Sequence, residues 1–212
     1  MEKSTKDNLK IKTPRPYLSW SQLSLWEKSP FEYAKAYIYS DERVATNPFM
    51  ELGKELAEAL EKDEWGNGES PDIELARILL PSYPEREVQL DGIVNGVPIR
   101  GKLDGFDRTK LRLGEYKTGR APWTQTRVDA FGQLSFYALL ISQNFGKPPA
   151  TIHLHWVPSF YDEQGELKLK GEVKTFKTER STRDLLEISR RITRAWEGIK
   201  EMASGELAAI GR

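Results

Sequence analysis

The sequence of 212 residues predicts an α/β protein with a mixed sheet, and three observations carry that expectation. Helix-start signals and helical periodicity fill residues 17–84. From Glu85 onward the apolar period shortens to that of strands. A helical stretch then separates the third strand from the fourth, long enough to return the chain for a parallel pairing by a right-handed crossover.

Taken in order, residues 1–16 are polar and lysine-rich, end in "TPRPY", and read as a mobile N-terminal arm. Ser19 with Gln22 forms a capping box, with Leu18 and Leu23 placed as a hydrophobic staple. Ser29, Pro30 and Glu32 repeat the signal with proline at the first helical position. Asn47-Pro48 opens a third helix, "PFMELGKELAEALEK", whose Phe49, Leu52, Leu56 and Leu60 share one stripe. Ser70-Pro71 opens a fourth that stops at Pro81. The segments "REVQLDGIV" and "VPIRGKLDGFD", joined by Asn95-Gly96, read as a hairpin with a tight turn, and "KLRLGEYKTG" supplies a third antiparallel strand. Thr124 or Thr126 caps one continuous helix with Val128, Phe131, Leu134, Ala138 and Ile141 on its apolar stripe, ending at Gly146. The strand "ATIHLHWVPSF", a turn near Glu163-Gln164-Gly165 and the strand "EVKTFKTE" bring the sheet to about five strands. A last helix starts near Ser181 and buries Leu185, Ile188, Ile192, Trp196 and Ile199. With no repeat or low-complexity linker, residues 17–212 read as a single domain, a helical section 17–84 followed by a core 85–212.

Composition narrows the chemistry. At 38% apolar and 30% charged residues the chain has the balance of a folded domain. No run reaches the length of a membrane span, and "MEKSTKDNLKIK" lacks the apolar centre of a signal peptide, so a cytoplasmic protein is expected. The absence of cysteine excludes disulfides, thiolate zinc sites, thiol nucleophiles and cysteine-held iron–sulfur clusters. With His153 and His155 the only histidines, any metal here rests on oxygen ligands, which favours Mg or Mn. Formal charge sums to zero, yet residues 100–127 carry eight basic against three acidic side chains, a basic segment suited to phosphates.

Within that segment, Glu115 and Lys117 share a strand face because side chains alternate. On the preceding strand Lys102, Asp104 and Phe106 share a face, and pairing across the short turn places Asp104 beside Glu115. Two carboxylates and an ammonium suit phosphodiester cleavage: Asp104, Glu115 and the backbone carbonyl of Tyr116 offer hard oxygens to a divalent cation. Lys117 orients water or stabilises charge on the phosphate. Gln133 and Tyr137, spaced i and i+4, lie on one face of the next helix. Arg120, Arg127, Lys102 and Trp123 are the candidates for holding nucleic acid, Trp123 as a stacking platform. His153 and His155 read as packed within the sheet, and Asp107 as a turn aspartate.

In their order and separations, "GKLDGFD", "GEYKTG" and "GQLSFYALL" resemble the core motifs of the PD-(D/E)XK nuclease superfamily and its RecB-like branch, and "LSWSQLSLWEKSPFEYAKAYI" resembles the opening of that branch. The resemblance spans most of residues 18–145. It implies a restriction-endonuclease-like core and a Mg- or Mn-dependent deoxyribonuclease, with Asp104, Glu115, Lys117, Gln133 and Tyr137 at the catalytic positions. It further implies an exonuclease acting on DNA, single-stranded or with free ends, in recombination, repair or defence beside a helicase or recombinase. Where many relatives place a metal-binding histidine in a helix, this chain has Ala57 in "GKELA"; among the nearby carboxylates Glu51, Glu58 and Glu61, Glu61 shares the face of Ala57 and is the expected substitute. Where some relatives carry a cluster-binding cysteine, this chain has Ser29, so no iron–sulfur cluster is implied. The missing histidine also motivates a second reading, a catalytically silent nuclease-fold module that binds DNA or scaffolds a partner.

Overall fold

The structure, a computed structural model, describes residues 15–39, 47–62 and 70–210. The expected arm lies almost wholly outside these residues. Among the described residues no helix is long and apolar enough to cross a membrane.

The helix starts form where the side chains dictate. Ser19 caps α1 (Trp20–Lys28), its hydroxyl accepting from the Gln22 amide. Ser29 caps α2 (Pro30–Tyr37) by accepting from Glu32 N–H at 3.2 Å, with Pro30 where no amide donor is needed. Asn47 does the same for α3 (Pro48–Lys62), accepting from Met50 N–H at 3.0 Å. Ser70 precedes α4 (Pro71–Leu79) without a side-chain cap bond.

The strands follow: β1 (Glu85–Val94), β2 (Val97–Asp107) and β3 (Arg112–Gly119). Asn95 and Gly96 at the first turn both hold positive φ, as a tight primed hairpin requires. The predicted single helix after β3 is instead two. Thr124 caps α5 (Gln125–Asp129), the chain breaks at Ala130–Phe131, and α6 (Gly132–Phe145) runs on to a left-handed Gly146. The break is held from outside: buried Arg180 donates to the Val128 and Phe131 carbonyls, at 3.0 and 3.2 Å, and to Ser135 Oγ on α6 at 2.8 Å. Then come β4 (Thr151–Tyr161), the short β5 (Leu167–Leu169), β6 (Lys174–Thr178) and α7 (Thr182–Ile210).

The sheet has six strands in the order β1-β2-β3-β4-β5, with β6 pairing β4. β3 runs antiparallel to β2 and parallel to β4, so the sheet is mixed, as expected from a helix-length connection between β3 and β4. The sequence does not announce β5, because three residues are too few to show a period.

The chain folds into two compact units. Among the described residues, one holds those up to residue 39, Ile93–Ile99 and those from Ser189 onward; there Leu18 N–H donates to the Pro98 carbonyl at 2.9 Å, and Gly198 leaves room for the Trp26 ring. The other, Thr46–Gly92 with Arg100–Ile188, contains every catalytic candidate. Its apolar core joins α3 and α4 (Leu52, Leu56, Leu60, Ile73, Ala76) to Val157 and Leu169 on the sheet, with Tyr116 packed against it.

Candidate active site

The register of β2 on β3 decides the site. Gly105 pairs with Gly114 and Phe106 with Leu113, so the next pair outward is Asp104 and Glu115. Past that point Asp104 Oδ2 accepts from the Tyr116 amide at 2.9 Å, a side chain taking the place of a ladder partner. Glu115 is fully buried, and Lys117 Nζ stands 2.5 Å from its Oε1. Beyond that pairing neither oxygen of Glu115 has a hydrogen-bond partner. The three groups are thus brought together as the alternation of strand faces predicts.

They open into a cavity of about 400 Å³. Residues of α3, among them Gly53, Ala57 and Glu61, line it together with Asp104, Glu115, Lys117 and Gln133. Gly53 belongs to the fit: a Cβ there would stand 3.2 Å from Thr118 Oγ1. Gln133 and Tyr137 are both buried, and Gln133 Nε2 donates to the Tyr137 hydroxyl at 3.0 Å.

The electrostatics follow from burial of like charges beside an amine. Desolvation first, then the neighbouring Asp104, push the Glu115 carboxyl up to about 8 against the pull of Lys117. Asp104 is also raised, by desolvation, although Lys117 and the Tyr116 amide oppose it. For Lys117 burial is the largest influence and works downward, but Glu115 and Asp104 together outweigh it and hold the ammonium above its ordinary range. Tyr137 is raised by burial and by the two carboxylates, so its phenol keeps its proton.

The donor set suits a hard divalent cation. Glu115 and Asp104 bring two carboxylates to a buried cavity in which the Lys117 ammonium pairs with Glu115, a donor set with oxygens left over for a further cation. Tyr116 lines the same cavity, and with no cysteine in the chain no thiolate competes. Two carboxylates with water and phosphate oxygens meet the needs of an ion that keeps much of its hydration.

Other expectations are placed differently. Glu61 lines the same cavity as Asp104 and Glu115, although among the described residues no group of three or more His, Asp or Glu side chains is gathered closely enough to form a cation cage. Trp123 is no open stacking platform: it is 8% exposed, with the Arg127 guanidinium 4.0 Å from its ring centroid and Phe131 against it edge-on. Arg127 also donates to the carbonyls of Ala121 and Pro122, while Arg120 is exposed and stands over the Tyr161 ring. Lys102 pairs with Glu87 at the acidic side of the cavity.

His155 lies within hydrogen-bond distance of the Tyr83 hydroxyl, 2.9 Å from Nε2, and of Thr175 Oγ1, 2.8 Å from Nδ1. Desolvation, with His153 and Arg112, lowers it to about 4, so it packs as a neutral ring. Asp107 accepts from the Lys110 amide at 3.0 Å, a turn aspartate. Sequence reasoning missed Glu87 and Arg86, which both line the cavity. They stand in a run of charged residues, Glu85-Arg86-Glu87, with no motif around it, which reads as a solvated strand end.

The sequence matches the PD-(D/E)XK nuclease superfamily over residues 18–211. No curated protein matches the chain. Among solved structures, SSO0001 shares the fold at 17% identity and a TM-score of 0.52, covering 88% of this chain and 78% of its own. A protein of Eubacterium rectale described provisionally as an exonuclease is 14% identical with a TM-score of 0.41; the match covers 87% of this chain but 65% of that longer one. A phage-related exonuclease of Haemophilus somnus is 15% identical with a TM-score of 0.48, covering 88% and 83%. The family match covers more than nine-tenths of the residues, strand β3 with its buried glutamate and lysine included, and the mixed sheet is the restriction-endonuclease-like one; this chain therefore belongs to the PD-(D/E)XK nuclease superfamily.

Proposed function

We propose that the chain is a Mg- or Mn-dependent deoxyribonuclease of the RecB-like branch, an exonuclease that hydrolyses DNA in recombination, repair or defence. The supporting observation is the convergence of Asp104, buried Glu115 and Lys117 on one cavity, with Glu115 paired to Lys117 and to no other group. The order of the motifs along the chain supports the branch.

In this reading Asp104, Glu115 and the Tyr116 carbonyl hold the cation. A bound divalent ion supplies Lewis-acid charge at the scissile phosphate and acidity to the attacking water. Lys117, kept protonated by its two carboxylate neighbours, presents positive charge to the phosphate as negative charge builds. Gln133 fixes the Tyr137 phenol, which stays protonated and can donate. Arg120 and Lys102, both exposed, are in this reading the cations that would meet the nucleic-acid backbone.

The test is incubation of the purified protein with labelled linear, circular and single-stranded DNA in Mg, Mn or EDTA. Degradation that stops in EDTA is expected; a folded protein inert on all three would overturn the reading. Glu115→Gln and Lys117→Ala should each lower cleavage at least about a hundredfold while leaving DNA affinity near that of the wild type. One observation favours a second reading, a silent DNA-binding or scaffolding module holding a helicase or recombinase: Ala57 stands where relatives carry a metal histidine, and no third ligating side chain converges among the described residues. Calorimetric titration with Mn separates the two, since a silent module shows no cation site that disappears in Asp104→Asn.

A further inference from the structure

Glu87 belongs to none of the motifs, yet its placement is unusual in three ways. First, it lies in β1 with a φ of 53°, a left-handed conformation that side chains other than Gly, Asn and Asp seldom take. Second, Arg86 and Glu87 are consecutive strand residues that both line the cavity, whereas alternation would turn one of them away. The positive φ breaks the alternation, as a bulge does beside a functional site, and turns the Glu87 carboxylate inward. Third, the direction is electrostatically adverse. Glu87 acts as a like charge on both Asp104 and Glu115, in a cavity where Glu61 makes a fourth carboxylate against the cations Arg86 and Lys117. Backbone strain that adds negative charge to an acidic cavity calls for a positive occupant.

We propose that Glu87 is a third carboxylate of the cation site held by Asp104 and Glu115, acting through water rather than by direct contact, with Lys102 as its counter-ion in the cation-free protein. The inference rests on the cation reading of that site. Water mediation follows from the absence of three converging ligands among the described residues and from the hydration that Mg retains. Lys102 is suited to the exchange, since it meets Glu87 from the solvent side, 58% exposed against 21% for the glutamate.

The experiment is calorimetric titration of the full chain with Mn and with Mg. Glu87→Gln should weaken cation affinity about tenfold, the scale on which carboxylates supporting a metal site act. Lys102→Ala, which removes the competing ammonium, should leave that affinity unchanged or tighten it. Glu87→Gly relieves the backbone and loses the carboxylate together, so its unfolding midpoint in chelator should equal or exceed the wild type's while its cation affinity falls as in Glu87→Gln. Wild-type affinity in Glu87→Gln overturns the proposal. So does equal weakening in Lys102→Ala, which would make Glu87 only a support for that lysine. A wild type that binds no cation at all removes the reading of the whole site, and Glu87's part in it as well.

Discussion

Glu115 carries an ionisable group where water does not reach, so its proton and a cation compete for the same oxygens. With its carboxyl near 8 in the folded chain and ordinary when unfolded, the native state holds the extra proton between about pH 4.5 and 8. Stability contributed by a raised group is full at low pH and lost as pH climbs through the folded value. Asp104 is shifted in the same sense. His155 is shifted the opposite way, and its contribution is lost only as pH falls below about 6.5 toward 4. The unfolding midpoint in chelator should therefore decline from pH 6.5 to 8.5, and Glu115→Gln should flatten that decline in scanning calorimetry. Cation binding at pH 7 should release a proton, read as a dependence of the titration heat on the buffer's ionisation enthalpy, and should tighten as pH rises to 8.

Element positions depend on two glycines and one arginine. Gly105 and Gly114 pair across β2 and β3, and the Tyr83 ring lies on both: a Cβ at Gly114 would stand 2.3 Å from ring atoms of Tyr83. Alanine there must displace a ring whose hydroxyl is engaged with His155, immediately beside Glu115. Gly114→Ala should cost about 3 kcal/mol in urea unfolding, the upper range for an overpacked core. Arg180 holds the gap between α5 and α6 by donating to the carbonyls of Val128 and Phe131, and so sets where Gln133 begins its helix. Arg180→Ala strands those carbonyls and should lower stability by about 2–3 kcal/mol. Lysine at this position should not rescue it, because an ammonium lacks the planar fork that reaches both α5 and α6. Differential denaturation of the two variants checks this.

For the molecule as a whole, zero formal charge gives no general attraction to a polyanion, so nucleic-acid affinity must come from local cations. Arg120 is exposed at the end of β3, whereas Arg127 is engaged with Trp123 and two carbonyls. Arg120→Ala should reduce the slope of log affinity against log salt by about one, and Arg127→Ala should change it less; fluorescence anisotropy at several salt concentrations measures both. Helix caps at Ser19, Ser29 and Asn47, the Asn95-Gly96 turn, the parallel return to β4 and the meeting of Asp104, Glu115 and Lys117 were all legible in the residues, because capping, turns and strand alternation act between near neighbours in the chain. The six-strand count, the break at Ala130–Phe131, the burial of Trp123 and the inward turn of Glu87 were not. The break depends on Arg180, a partner far along the chain, and the turn of Glu87 on the cavity wall of α3 and β2; Trp123 is covered by its near neighbours Arg127 and Phe131 through a stacking that no residue pattern announces, and β5 is too short to show a period. The order of residues alone determined most of the elements and which three groups meet at the cavity, while packing between distant segments decided what surrounds those groups, since solvent access and field in a cavity are properties of all its walls.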